Sequence, residues 1–153
     1  MSRPQAATLS DGRRLHLHHG PIDLVIEAWG DPPAVAQAYA RARARFDGLL
    51  EELVAELPAL RSPDPGRLTG PIARAMATAV APFRPTFITP MAAVAGAVAD
   101  AVLAAMTAAS DLERAYVNDG GDIALHLTAG TAITAAIASP RSRCRAPDRR
   151  GRP

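Results

Sequence analysis

The pattern of apolar and polar residues near the N-terminus predicts a β-hairpin. Residues 13–18 alternate polar and apolar side chains as a half-buried strand does, and Ile22 to Trp29 follow as a second strand-like run. His19-Gly20-Pro21 between them is a typical turn sequence. Residues 1–11 are expected to be a flexible N-terminus.

Helical spacing dominates the middle of the chain. Asp31 and the two prolines after it predict a helix start, because aspartate caps free amides and proline fits the first turn. Apolar residues then recur every three or four positions, which predicts one helix of about six turns ending near Pro58. Three further elements are predicted: a linker over 61–66, a weaker helix over 67–80 and an alanine-rich helix from Thr89-Pro90 to about Ala108.

The last part of the chain predicts strands. Three runs have strand-like composition: Ala115 to Asn118, Asp122 to Leu127, and Thr131 to Ala138. Asp119-Gly120-Gly121 predicts a tight turn between the first two. Two strands, three helices and three strands in this order predict an α+β domain over residues 12–138, with helices packed on one face of a largely antiparallel sheet.

After Ser139 the composition changes. Residues 139–153 have almost no apolar side chains, so we expect a disordered Arg/Pro-rich tail. Residues 141–153 hold six arginines and one aspartate and carry a net charge of +5, so the remainder carries −3 of the overall +2. The pI of about 9.3 is therefore no evidence that the domain binds nucleic acid.

Composition favours a single cytoplasmic domain. Aromatic residues make up only 4% of the chain, so its core must be built mainly from small aliphatic side chains. The lone cysteine, Cys144, excludes an internal disulfide, and residues 1–20 have no apolar run typical of a signal peptide. Residues 87–109 are long enough to cross a membrane, but they are rich in alanine and lack flanking arginine clusters, which favours a buried core helix.

Two groups of basic side chains are weak site candidates. They are His16, His18 and His19 on or beside the first strand, and Arg41, Arg43 and Arg45 on the first helix. The histidines could bind a metal, yet no carboxylate or cysteine follows at a convincing ligand spacing, so outward-facing strand histidines are favoured. The arginines could bind phosphate, yet their spacing of two spreads them around the helix, which favours a solvated face.

The start of the alanine-rich helix is a stronger candidate. Its free amides and the neighbouring Thr89 suit a phosphate, although capping by Thr89 accounts for the same residues. Ala92, Gly96 and Asp100 then recur every four residues. Such a stripe permits close approach of a strand or a ligand, and tight core packing would use the same residues.

The segment Asn118-Asp119-Gly120-Gly121-Asp122 is the densest site-like run in the chain. Asp-Gly is a favoured hairpin turn, so the run has a purely structural interpretation. Consecutive glycines also let a backbone lie against a planar or phosphorylated ligand, with Asn and Asp supplying polar contacts. The pattern alone leaves both interpretations open.

Three segments together resemble a small uncharacterised family related to ApbE, over roughly residues 12–138. They are His19-Gly20-Pro21-Ile22-Asp23-Leu24, Phe87-Ile88-Thr89-Pro90-Met91-Ala92-Ala93-Val94-Ala95-Gly96-Ala97-Val98-Ala99-Asp100 and Tyr116-Val117-Asn118-Asp119-Gly120-Gly121-Asp122-Ile123-Ala124-Leu125. ApbE proteins are magnesium-dependent flavin transferases that move FMN from FAD onto a Thr or Ser of a target protein.

The resemblance implies FAD and Mg²⁺ as cofactors and a protein as the FMN acceptor. It also implies a flavin pocket between the alanine-rich helix and the Gly-Gly-Asp turn. In this pocket, five residues would bind the flavin nucleotide: Thr89, Gly96, Asn118, Gly120 and Gly121. Asp100 and Asp122 would be metal ligands.

The chain also differs from that family. The Lys-Gly-Tyr element of the transferases is replaced by Val94-Ala95-Gly96-Ala97, and Asp119 stands where the family usually has Asn. The Arg/Pro-rich tail stands where relatives continue, which predicts a truncated or frameshifted gene, impaired activity and self-association through uncovered sheet edges. The alternative function is a non-catalytic binding or assembly domain that acts through an oligomer interface.

Overall fold

A computed structural model describes residues 3–136, and within them the chain has the expected α+β architecture. A five-stranded sheet is fully antiparallel, and its strands lie in the order β1-β2-β3-β4-β5. The strands are β1 (Gln5–Thr8), β2 (Leu15–His19), β3 (Ile22–Gly30), β4 (Leu112–Asp119) and β5 (Asp122–Leu127).

The helices form one layer on one face of this sheet. They are α1 (Pro32–Phe46), α2 (Leu49–Ala55), α3 (Leu57–Leu60), α4 (Pro71–Val80) and α5 (Val94–Thr107). Helix α1 packs on β2 and β3, while α5 packs on β4, β5 and α1. Alternate residues of the strands face this layer, and the buried ones are mostly aliphatic, as in Leu24, Ile26, Ala115 and Val117. Phe46 is the largest fully buried side chain.

The predicted six-turn helix from Asp31 to Pro58 is wrong as a single element. Helix α1 ends at Phe46, and Gly48 has φ +77°, a left-handed conformation that interrupts the helix and that glycine adopts without steric cost. Helices α2 and α3 complete the span, and Leu49 and Leu53 of α2 are still buried. Asp31 is the cap residue of α1 as expected, although its side chain makes no capping hydrogen bond.

The ends of the described chain also differ from expectation. Residues 1–11, expected to be flexible, contain β1, whose four residues are all exposed and are held by pairing with β2. The predicted strand over Thr131 to Ala138 is wrong for residues 131–136, which have no strand structure. Residues 137 and 138 and the predicted disordered tail lie outside the described residues.

The Thr89-Pro90 signal predicted the start of the alanine-rich helix; the structure has a 3₁₀ turn there, Pro90–Ala93, and α5 begins after it at Val94. One face of α5 is buried, through Val98, Ala99, Val102, Leu103 and Met106. By length and composition alone, Pro90–Thr107 is the one apolar helical segment among residues 3–136 that could span a membrane, and 33% of it is buried in the fold. Most of its other residues are partly buried, and only Ala92, Asp100 and Ala104 are exposed, so the expected core helix is covered over most of its surface.

Candidate functional site

A cavity of about 370 Å³ lies where four parts of the chain meet, one of them the end of β4 with Asp119. We call it the Asp119 cavity, after the single carboxylate in its wall. Pro21 and Ile22 contribute from the β2–β3 turn, and Met91, Val94 and Ala95 from the start of α5. The remaining wall is made by the α2–α3 region: Leu50, Leu53, Val54, Leu57 and Arg61. The lining is predominantly apolar, with one acidic and one basic side chain.

Asp119 reaches this cavity because of its register on β4. It continues the alternation of Ala115 and Val117, both buried against the helices, so its side chain also faces the helix layer and is 9% exposed. Burial raises the pKa of Asp119 to about 6, since the charged form loses solvation. The nearby charges of Asp122 and Asp23 raise this pKa further, while a hydrogen bond from the Asp23 backbone amide lowers it.

The wall of the cavity therefore carries two different polar groups. Because its pKa is raised, the Asp119 carboxyl is neutral in a larger fraction of molecules near neutral pH than an ordinary aspartate is. Arg61, an exposed residue just after α3, supplies a cation that is always charged. The cavity can accept an apolar ring while offering it one hydrogen-bonding carboxyl and one anion-binding guanidinium.

The Gly-Gly turn beside Asp119 is fully explained as a hairpin. Gly120 has φ +61° and Gly121 φ +114°, and a two-residue type I′ turn requires positive φ at both positions. Asn118 Oδ1 accepts a hydrogen bond of 2.9 Å from the Gly121 amide. No heavy atom lies within 4 Å of a Cβ built at either glycine, so their surroundings are open.

Thr89 and Gly96 lie just before and just after the lining residues Met91, Val94 and Ala95 in the sequence, but neither lines the cavity. Thr89 precedes the 3₁₀ turn and is partly buried, yet its hydroxyl makes no capping hydrogen bond. A Cβ built at Gly96 meets nothing within 4 Å, so close packing within residues 3–136 does not require glycine there. The small-residue stripe is open toward solvent at Ala92 and Asp100, which are both exposed.

Asp100 and Asp122, the two expected metal ligands, occupy different places. Asp100 lines a second cavity, together with Arg45, Ile72 and Ala97, between α1, α4 and α5. Asp122 is exposed at the start of β5, opposite Asp119 in the β4–β5 register. Neither is in the lining of the Asp119 cavity. Within residues 3–136 no group of three or more His, Cys, Asp or Glu side chains could hold a metal ion, and the two expected ligands lie in different parts of the fold.

The histidines divide between the two faces of the sheet. His16 and His18 lie on the outer face as predicted, with His16 Nε2 2.5 Å from Asp23 Oδ1 and His18 Nδ1 3.8 Å from Asp23 Oδ2. His19 is 1% exposed and packs edge-on against Phe46, so the prediction that it faces outward is wrong.

The arginines of α1 are less solvated than predicted. Arg43 is exposed, whereas Arg41 and Arg45 are partly buried. Arg45 Nη2 donates to Glu52 Oε2 of α2 over 2.9 Å, which ties the two helices together across the break at Gly48. The solvated-face interpretation therefore fits Arg43 alone.

Sequence reasoning placed a pocket between the alanine-rich helix and the Gly-Gly-Asp turn, but it assigned none of the residues that line the Asp119 cavity as a cofactor or metal ligand. Asp119 lay in the site-like run without an assigned role, although its alternation with Ala115 and Val117 places it on the buried face. Arg61 and the apolar residues of α2 carry no chemical motif, and only the fold brings them to the start of α5.

The model of the protein family described as AbpE bacteria matches residues 6–148. Apart from Gln5, the first residue of β1, this range includes the five strands and five helices described above. No curated protein and no solved structure matches the chain. The chain therefore belongs to the family AbpE bacteria.

Proposed function

We propose that this protein binds a flavin through its isoalloxazine ring in the Asp119 cavity. The observation that carries the proposal is the convergence of the three segments that resemble the ApbE-related family. Pro21 and Ile22 come from the first, Met91, Val94 and Ala95 from the second, and Asp119 from the third. The similarity between the names ApbE and AbpE supports the relationship, which remains part of the proposal.

The chemistry of the lining fits a ring system of this kind. Small-molecule sites usually have volumes of roughly 300–1,000 Å³ and mostly apolar walls with a few polar groups. At about 370 Å³ the cavity suits one fused ring and not a whole dinucleotide. The apolar side chains would contact the ring, Asp119 would hydrogen-bond its polar edge, and Arg61 would meet the phosphate outside.

Transfer of FMN is a separate step for which the described residues supply less. Transfer would break the phosphoanhydride bond of FAD and form a phosphoester with an acceptor hydroxyl, releasing AMP. Neither of the expected metal ligands, Asp100 and Asp122, lines the Asp119 cavity, so we derive no metal-dependent step from it. The proposal is therefore limited to flavin binding.

The test is a fluorescence titration of the purified protein with FMN, with FAD and with ADP as a competitor. If the ring occupies the cavity, FMN and FAD should bind with dissociation constants within about tenfold of each other. A large excess of ADP should then displace neither flavin. Absence of binding by both flavins, or displacement by ADP, would contradict the proposal.

A further inference from the structure

The two charged residues that line the Asp119 cavity come from separate parts of its wall. Asp119 ends β4, whereas Arg61 follows the last residue of α3. Two further carboxylates, Asp23 and Asp122, are close enough for their charges to act on Asp119. We call Asp23, Asp119 and Asp122 the acidic end of the cavity. Within residues 3–136 no ion pair joins Arg61 to this end.

The guanidinium group of Arg61 is available to a ligand. The backbone amide of Arg61 donates to the Leu57 carbonyl over 3.1 Å, which fixes the residue at the end of α3. Its side chain is exposed, and it makes no hydrogen bond or ion pair within the described part of the chain. Arg45 of the second cavity differs, because it already donates to Glu52. A permanently charged group with several N–H donors and no partner is suited to a phosphate.

The acidic end of the cavity would repel the same phosphate. A phosphate monoester carries roughly −1.5 to −2 charges at neutral pH. Asp119 is 9% exposed, so solvent screens its repulsion of a nearby anion poorly. The oxidised flavin ring is uncharged and meets no such repulsion. The acidic end and Arg61 therefore favour different parts of one ligand.

We propose that Arg61 is a specificity-determining residue of the Asp119 cavity, where it binds the ligand phosphate and selects phosphorylated flavins over riboflavin. The ring then lies toward the acidic end and the phosphate toward Arg61. This inference rests on the proposed function, because it requires the flavin ring to occupy the cavity. Riboflavin has the ring and ribityl chain of FMN and lacks only the phosphate, so the two ligands isolate the contribution of Arg61.

The exposure of Arg61 sets the size of the expected effect. Water and salt weaken the attraction between an exposed guanidinium and a phosphate. We therefore expect the phosphate to lower the dissociation constant by about tenfold and no more. Added NaCl should weaken FMN binding, whereas binding of the uncharged riboflavin should change little.

Fluorescence titration of the full chain with riboflavin and with FMN tests the proposal. Wild type should bind FMN about tenfold more tightly than riboflavin. Arg61→Gln removes the charge and should bind both ligands with the affinity that wild type has for riboflavin. Arg67→Gln removes the same charge from an exposed arginine outside the cavity lining, so it should keep the preference for FMN. The salt dependence of wild type provides a second measurement that needs no variant.

The two ligands separate failure of this inference from failure of the proposed function. If wild type binds neither riboflavin nor FMN, the flavin site itself is contradicted. If wild type binds both equally, or if Arg61→Gln keeps the preference for FMN, the ring occupies the cavity and the role of Arg61 is overturned. A preference for FMN that requires Mg²⁺ and is lost in Asp122→Asn would place the phosphate at the acidic end and would also overturn it.

Discussion

Asp119 is the residue whose environment departs most from what its type prefers. The Asp119 side chain is 9% exposed in a largely apolar wall, where the ionised carboxylate is poorly solvated. Its pKa is therefore raised to about 6. A raised carboxylate pKa in the folded state means that this group favours folding at low pH. That contribution is lost as the pH rises from about 4, near the ordinary value of 3.8, through 6.

Replacing Asp119 with Asn should therefore stabilise the protein near pH 7.5. The variant keeps an acceptor for the Asp23 amide and removes the buried charge, so we expect a gain of roughly 1–3 kcal/mol in the free energy of unfolding. Urea unfolding between pH 4 and pH 8 measures it, and the gain should shrink toward pH 4. The exposed Asp47→Asn is the matched control and should change little. A destabilised Asp119→Asn variant at pH 7.5 would show that the carboxylate is better satisfied than we infer.

Single residues also show why the Gly-Gly turn was only partly predictable. The sequence Asp119-Gly120-Gly121 indicated a tight turn, and the turn is present. The sequence did not reveal that both glycines would need positive φ, nor that Asn118 would be engaged by the Gly121 amide. The turn thus gives a structural role to Asn118, Gly120 and Gly121, three of the five residues expected to bind flavin. Flavin binding by these residues stays a prediction.

At the scale of elements, two carboxylates hold the start of α4. Glu52 lies on α2, and Glu56 follows directly after the C-terminal end of α2. Glu56 accepts hydrogen bonds from the Thr69 and Gly70 amides over 2.8 and 2.7 Å, and Glu52 accepts one from the Ile72 amide over 3.3 Å. These amides precede or begin α4, where intrahelical acceptors are lacking. The two hydrogen bonds to Glu56 lower the pKa of its carboxyl.

Glu56→Gln should lower the melting temperature at pH 7. Glutamine offers one acceptor oxygen in place of two and no charge, so one of the two amides loses its partner. Because the folded-state pKa of Glu56 is lowered, its contribution is present above the ordinary value of 4.5 and is lost as the pH falls below it. The difference from wild type, measured by thermal circular dichroism, should therefore shrink in acid. Glu113→Gln, at an exposed side chain on β4, is the control.

The element boundaries show what hydrophobic spacing can and cannot predict. The β2–β3 and β4–β5 hairpins follow from strand periodicity and turn residues, and β5 has the predicted bounds Asp122–Leu127. The break at Gly48 was missed because the apolar spacing continues from Phe46 to Leu49 and Leu53 across it. Strand β1 was missed because none of its side chains is buried, so pairing with β2 alone defines it.

For the whole molecule, the antiparallel α+β architecture was predictable because the short connections favour the β2–β3 and β4–β5 pairs, while the β3–β4 pair joins across all the helices. The position of the cavity was predicted only in outline. The start of α5 and the end of β4 do meet, but the wall completed by α2, α3 and Arg61 arises from tertiary packing that no local pattern encodes. Cytoplasmic location and the state of residues 137–153 stay predictions.

The most direct test of the account is to fill the Asp119 cavity and measure flavin binding. Ala95 lies in its wall, so Ala95→Leu should occupy space that the ring needs and weaken FMN binding, measured by fluorescence titration, at least about tenfold. Ala104→Leu adds the same side chain at an exposed position of the same helix and should bind FMN like wild type. Equal FMN affinity in all three proteins would contradict the assignment of the cavity as the flavin site.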